Sequence, residues 1–252
     1  DEISAGYTYH LVPWYLDIIK DSKIHSPEKK LSKVLNNLKK SSISNYDFLL
    51  GSLTNTFESG KATVDGSIFD KGDLIKKDFI ERFKYDRYLI EKPFTSYLRN
   101  AQYADLKYFK LPRSLRYADK ASMRYSTETR LPFLDHELVE LCFATPSKFK
   151  ILSQQQRIIT KYPFKNFINK SLLYKNKATV ADPQSFWLKN NLQELIKDTF
   201  NSANLKTSNI INKNKFNKLY DDFANSDSGH YNSFFIFQVL STELWFQNCC
   251  IS

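Results

Sequence analysis

The chain has 252 residues, 42% of them hydrophobic: enough for one large domain or two small ones, and too many for a disordered tail or a minimal disulfide scaffold. Its 37 Lys+Arg against 27 Asp+Glu leave a formal charge of +10, which favours polyanionic partners such as nucleotides, pyrophosphate or nucleic acid, although surface lysines also serve solubility alone. Six glycines are few for hairpin-rich sheets, and three cysteines (Cys142, Cys249, Cys250) make neither a disulfide framework nor a metal-ligand spacing, so a mostly helical protein of a reducing compartment is expected. No apolar run reaches the roughly 18 residues that span a bilayer, and the opening DEISAGYTYH has no basic n-region or apolar h-region. The expectation is a cytoplasmic chain without a membrane partner.

Leu11, Trp14, Tyr15 and Ile18 follow the turn at Gly6 at helical spacing and predict an amphipathic helix. A second helix is expected from Ser26 as N-cap and Pro27, with Leu31, Val34, Leu35 and Leu38 on one face. Residues 61–69 alternate weakly and hold the one plausible strand or extended loop. Between residues 79 and 110 aromatic side chains are dense, with Phe94, Tyr97, Leu98, Ala101 and Tyr103 at imperfect helical spacing, as in a core or buried interface. Pro112 opens a helix that puts Arg116, Asp119, Lys120 and Met123 on one face, and Asp135 can cap the next, which carries Leu138, Leu141 and Cys142. Leu192, Leu195 and Ile196 repeat the pattern. Residues 206–233, rich in Asn, Lys and Ser, read as a mobile connection with a weak helix inside, and FFIFQVLSTELWFQ reads as a core helix. No repeat and no linker divides the chain, so residues 1–252 are expected to form one domain.

Three places could carry chemistry. Arg116, Asp119, Glu128, Arg130 and Asp135 put five charges within twenty positions of apolar sequence, as either a structural ion-pair network or the wall of a polar site. Lys175 and Lys177 stand between apolar segments in a loop, where a lysine either binds a phosphate as a point charge or is simply solvated. Asp1 and Glu2, beside the Gly6 turn, could hold Mg²⁺ or lie in a frayed end. The four histidines share no metal-ligand spacing, and there is no nucleophile elbow, Walker A sequence or GxGxxG.

Residues 111–146 resemble the synthetase domain of glutamine-dependent asparagine synthetases, whose pattern LRxxDxxSMxxSxExRxPFLDxxLVE is matched at every fixed position from Leu115 to Glu140. The same resemblance continues through Thr160, Lys161 and Tyr162, then KNKATV, then Pro183, Trp187 and Leu188, and DEISAGY is similar to the end of a G-x-G-x-D-E-x-x-x-G-Y motif. It implies that Lys177 is the catalytic lysine that contacts the phosphates and pyrophosphate, and that Asp1 is a Mg²⁺ ligand. The polar cluster it implies to be mainly a framework beside the nucleotide and aspartate pocket. The chain departs from the pattern at Lys175, where Arg is usual, and at Thr179 and Val180, where Gly-Phe is usual.

The implied fold is the helical C-terminal part of an adenine-nucleotide α-hydrolase-like (PP-loop) α/β synthetase domain, lacking most of the parallel sheet. The pyrophosphate loop and the glutaminase domain would precede Asp1, and the missing initiator Met fits a fragment that is inactive alone. The implied reaction activates aspartate with ATP and Mg²⁺ to an acyl-adenylate, which glutamine-derived ammonia converts to asparagine with release of AMP. The alternatives are a related amidotransferase or lactam-forming ligase, or a basic helical nucleic-acid-binding protein. The scatter of the basic residues and the absence of a recognition motif argue against the last. A homodimer is one assembly open to it.

Overall fold

The computed structural model describes residues 1–21, 26, 29, 32, 36, 52–53, 56–57, 74–82, 90–152, 155–175, 183–225 and 230–249. These are mostly helical, as expected, and contain no strand, only the isolated bridges Ile75–Ile211 and Leu152–Gln155. Of the helix expected from Ser26, residues 29, 32 and 36 are helical, while Leu31, Val34, Leu35 and Leu38 lie outside the described residues, as do the strand at 61–69 and Thr179–Val180. No described helix is long and apolar enough to cross a membrane. Although no linker is legible in the sequence, the chain divides into two compact units. One holds Asp1–Phe69 with Arg87–Asn176, the other Asp70–Asp86 with Lys177–Ser252.

The larger unit is built on two helices, Leu11–Asp21 and Tyr97–Lys107. Leu11, Val12, Trp14, Tyr15 and Ile19 bury the inner face of the first against Leu98 of the second and against Ile151. Ile18, expected inside, is 40% exposed, because the buried stripe runs through Ile19 instead. Each fully buried side chain such as Leu98 contributes roughly 1.5–3 kcal/mol. The second helix turns an unusual face inward: Leu98, Gln102 and Asp105, at i, i+4 and i+7, are all buried, and two of the three are polar.

Each of these polar groups has a partner, as burial requires. Asp17, nearly buried, accepts from the backbone N–H groups of Tyr97 (2.7 Å) and Leu98 (3.2 Å) and from the hydroxyls of Ser96 (2.6 Å) and Ser147 (3.2 Å). A carboxylate there satisfies N–H groups that the first helical turn leaves unpaired and meets the positive end of the helix dipole. Asp105 accepts from the Tyr9 hydroxyl (2.8 Å) and bonds His10 Nε2 (2.8 Å). Burial, and then the adjacent Asp105 carboxylate, push the Tyr9 hydroxyl far above its ordinary pKa.

The remaining helices of this unit are more exposed. Helix Lys110–Met123 forms where Pro112 predicts it, inside its first turn, yet buries no residue. Asp135 caps His136–Ala144 as expected, accepting from Glu137 N–H (3.1 Å) and Leu138 N–H (3.3 Å).

In the smaller unit, helices Gln184–Lys189, Gln193–Asn201, Lys213–Asn225 and His230–Cys249 share one core. Phe200 and Phe216 lie at its centre with ring centroids 4.1 Å apart. The segment 206–233, read as a mobile connection, contains a 3-10 turn, Lys206–Asn209, and the 13-residue helix Lys213–Asn225. That helix is a core element: Phe216, Tyr220 and Phe223 recur at i, i+4 and i+7 and are buried, a pattern that the surrounding Asn and Lys obscure. Helix His230–Cys249 buries Phe235, Ile236, Val239, Leu240 and Glu243 and leaves Phe234, Phe237 and Trp245 half exposed, so only one face of the expected core helix is core. Glu243 accepts from the N–H groups of Lys206 (2.9 Å) and Thr207 (2.7 Å), and the Tyr220 hydroxyl donates to the Leu188 carbonyl (2.8 Å).

Asp17→Asn should cost about 1–3 kcal/mol, because an amide cannot accept from four donors. Urea unfolding of the two proteins measures the difference, and an unshifted midpoint would remove Asp17 from its place as anchor.

Candidate functional site

The chain opens in a tight turn closed by Gly6 N–H donating to the Asp1 carbonyl (2.9 Å), with Ala5 left-handed at φ 56°. Three buried or half-buried side chains grip this turn. Gln102 Nε2 donates to the carbonyls of Glu2 (2.7 Å) and Ile3 (2.7 Å), and Gln156 Nε2 donates to those of Ala5 (3.0 Å) and Tyr7. The Tyr7 hydroxyl donates to Glu2 Oε1 (2.7 Å). Burial pushes the Glu2 carboxyl up, but the hydrogen bonds from Tyr7 and from its own backbone N–H outweigh that and hold it below its ordinary pKa.

Asp1 is taken by Arg157: Nε lies 2.6 Å from Oδ1 and Nη2 2.9 Å from Oδ2, a two-point pair. Arg157 is left-handed, at φ 63°, just ahead of the short helix Ile158–Lys161, whose Thr160 hydroxyl donates back to the Arg157 carbonyl (3.0 Å). Gly6 is required by this packing. A Cβ there would collide with the Asp1 carboxylate and lie 2.6 Å from Arg157 Nε. Lys161, half-buried, has its pKa lowered by burial and then by the neighbouring Arg157.

Beside this pair is a cleft of about 330 Å³, walled by Asp1, Glu2, Phe133, Leu134, Arg157 and Thr160. It gathers three stretches far apart in sequence: the opening acidic turn, the PFL turn Pro132–Leu134 and the Arg157–Thr160 segment. A second cleft, of about 420 Å³, lies between helix Lys110–Met123 and the segment after it, with Arg116, Asp119, Ser122, Glu128 and Thr129 on its walls. The charged cluster thus faces the segment that follows it, as a polar wall would, but it is not buried. Arg116, Asp119, Glu128, Arg130 and Asp135 are all exposed, and the one ion pair recorded among them, Arg130–Glu128 at 2.8 Å, is open to water and worth little.

Of the residues singled out from sequence, Asp1 lies on the first cleft and Lys175 is exposed after helix Lys170–Leu173, while Lys177 lies outside the described residues. Asp1 does not fit a cation in this arrangement, since both of its oxygens accept from Arg157 and one Glu2 oxygen accepts from Tyr7. No group of three His, Cys, Asp or Glu side chains converges among the described residues. Arg157, Gln102, Gln156 and Lys150 form the site's frame and were not singled out from sequence. Polar residues sharing the inward face of Leu98 were the available sign for Gln102.

Lys150 is fully buried, with Nζ donating to Gln102 Oε1 (2.8 Å). Burial, and then the Arg99 charge, push its pKa down to about 8, while Cys142 and Asp17 act the other way.

A family model described as asparagine synthase matches residues 1–247. The chain is 25% identical over 158 residues to "Asparagine synthetase [glutamine-hydrolyzing] 1" of Bacillus subtilis (strain 168), covering 63% of this chain and 24% of that protein. It is 26% identical over 139 residues to "Amidase chry2" of Gibberella zeae, covering 52% and 21%. The match therefore spans about a quarter of these curated relatives. No solved structure matches with significance.

Gly6→Ala should part Asp1 from Arg157 at a cost below about 2 kcal/mol, since the pair is partly exposed. A crystal structure of the variant with the pair intact would contradict this. Lys150 sets a pH dependence. Folded Lys150 loses its proton near pH 8, whereas an unfolded lysine keeps it to about 10.4. The penalty of burying the ammonium is fully present below pH 8 and is relieved as pH rises towards the unfolded value. Wild type should therefore gain stability between about pH 8 and 10 relative to Lys150→Met, as read from urea midpoints.

Proposed function

The chain belongs to the asparagine synthase family, and on that footing we propose that it is the helical part of an ATP-dependent amide-forming ligase. The complete enzyme activates the side-chain carboxylate of aspartate with ATP, forming an acyl-adenylate and pyrophosphate. Ammonia from glutamine then attacks the acyl carbon, the carbon–oxygen bond to AMP breaks, and asparagine and AMP leave. The observation that carries this reading is the family match over residues 1–247, supported by the cleft that gathers Asp1–Glu2, Phe133–Leu134 and Arg157–Thr160. Similarity to a protein named as an amidase favours a second reading within the same chemistry, in which the acid is one other than aspartate.

Such a reaction requires stabilisation of charge rather than a nucleophilic side chain. Lys177 supplies a compact positive charge to the leaving pyrophosphate, with a lysine's freedom to follow a moving phosphate. Arg157 keeps the cleft wall cationic, while Phe133 and Leu134 give it an apolar side that keeps water from the activated acyl group. Mg²⁺ enters as the counter-ion of ATP. Asp1 would be available as one of its ligands only if Arg157 gave up the carboxylate.

Lys177 and Lys175 are separated by register. Lys177→Ala in the complete enzyme should lower aspartate-dependent pyrophosphate release about a hundred- to a thousandfold and leave glutamine hydrolysis intact, whereas Lys175→Ala should be mild. Equal losses from both would mean that this segment acts only as a diffuse positive surface.

A further inference from the structure

We propose that Gln102 and Lys150 are a positioning pair that sets the acidic turn and the Arg157 segment at their working distance across the cleft. The inference rests on the ligase reading for its chemistry and on geometry for everything else. Gln102 is fully buried and uses its whole amide: Nε2 donates to two successive carbonyls, of Glu2 and Ile3, and Oε1 accepts from Lys150 Nζ. A free glutamine in this place could flip, presenting its oxygen to those carbonyls and losing both bonds. Lys150 forbids the flip, because its ammonium can only donate and so demands the oxygen on its side.

Lys150 also reaches the opposite wall through its backbone, whose carbonyl accepts from Ile158 N–H at 3.0 Å, one residue after Arg157. A single residue is therefore bonded to both segments whose tips meet in the Asp1–Arg157 pair: to Glu2 and Ile3 through Gln102, and to Ile158 directly. The pair at the surface is weak and partly wet, so it cannot set the separation alone. The buried chain can, because breaking it leaves polar groups without partners in the core. Burying a lysine that forms no ion pair among the described residues carries a standing cost. A hydrophobic core alone gives no reason for it, since a methionine would fill the same space. The groups facing Lys150 are Gln102, Cys142, Arg99 and Asp17, with the Phe143 ring 5.5 Å from Nζ.

The test separates holding the turn from stabilising the core. Gln102→Glu keeps an acceptor for Lys150, now a charged one, but turns a second oxygen against the Glu2 and Ile3 carbonyls. Hydrogen exchange of the Gly6 amide, which closes the turn onto Asp1, should accelerate roughly tenfold or more, with the amides of Leu11–Asp21 unchanged. In the complete enzyme, KM for the acyl substrate should rise and kcat for pyrophosphate release fall. A stability effect alone would scale kcat with the amount of folded enzyme and leave KM alone. Lys150→Met, which frees Gln102 to flip, should give the same two changes, and decides the matter should Gln102→Glu not fold. Unchanged Gly6 exchange in a folded variant overturns the proposal, as does faster exchange with unaltered kinetics. If the wild type releases no pyrophosphate with any carboxylate, the ligase reading falls and the exchange experiment alone decides the pair.

Discussion

Buried polar groups on one helix organise the larger unit. Tyr97–Lys107 turns Gln102 and Asp105 into the core beside Leu98, and a buried amide or carboxylate is tolerable only when its bonds are made. Each one therefore dictates where another segment must be. Asp105 draws in Tyr9 and His10, and Gln102 draws in the turn at Glu2 and Ile3, while the helix's own N-terminal N–H groups draw in Asp17. Apolar burial supplies most of the stability, but it is non-directional, and it does not say which of many compact arrangements is formed. The hydrogen bonds do, because each wrong arrangement strands a polar group.

The smaller unit uses the same device with fewer parts. Glu243, on the buried face of His230–Cys249, accepts from two N–H groups at the start of the 3-10 turn Lys206–Asn209, and so fixes the point at which the chain turns towards Lys213–Asn225. Burial pushes the Glu243 carboxyl up, yet the hydrogen bonds from Lys206 and Thr207 more than offset it and leave it below its ordinary pKa, ready to accept as the anion. Tyr220, from the next helix, closes the frame on Leu188. One acidic and one phenolic side chain thus tie helices that apolar packing alone would let slide.

Sequence patterns identify what depends on local chemistry. The face of Leu11, Trp14 and Tyr15 and the cap at Asp135 are legible because a helix's period and the residue at its first turn are local matters. What depends on partners far along the chain is not. Gln102 meets Glu2 across a hundred positions and Arg157 meets Asp1 across more, and neither residue stands out from its neighbours. The Lys213–Asn225 helix shows a third limit. The Asn and Lys around its core-forming Phe216, Tyr220 and Phe223 hide them, yet the spacing of these three residues matters more than the identity of the ten between and beside them.

The long motif of residues 111–146 sits where packing within this unit does not explain it. Helix Lys110–Met123 buries nothing, and Leu115, Tyr117, Met123, Leu131 and Phe133 are exposed, together with every charged member of the cluster. A core tolerates exchange among hydrophobic residues of similar volume, so a core would not demand a run of Arg, Asp, Ser, Glu and Arg at fixed spacing. Both clefts draw their walls from this stretch: Arg116, Asp119 and Glu128 for one, Phe133 and Leu134 for the other. The division of labour follows from physics. Most residues that hold the fold are buried and lie outside the motif, Asp135 and Cys142 excepted, whereas most of those that give the pattern face outward.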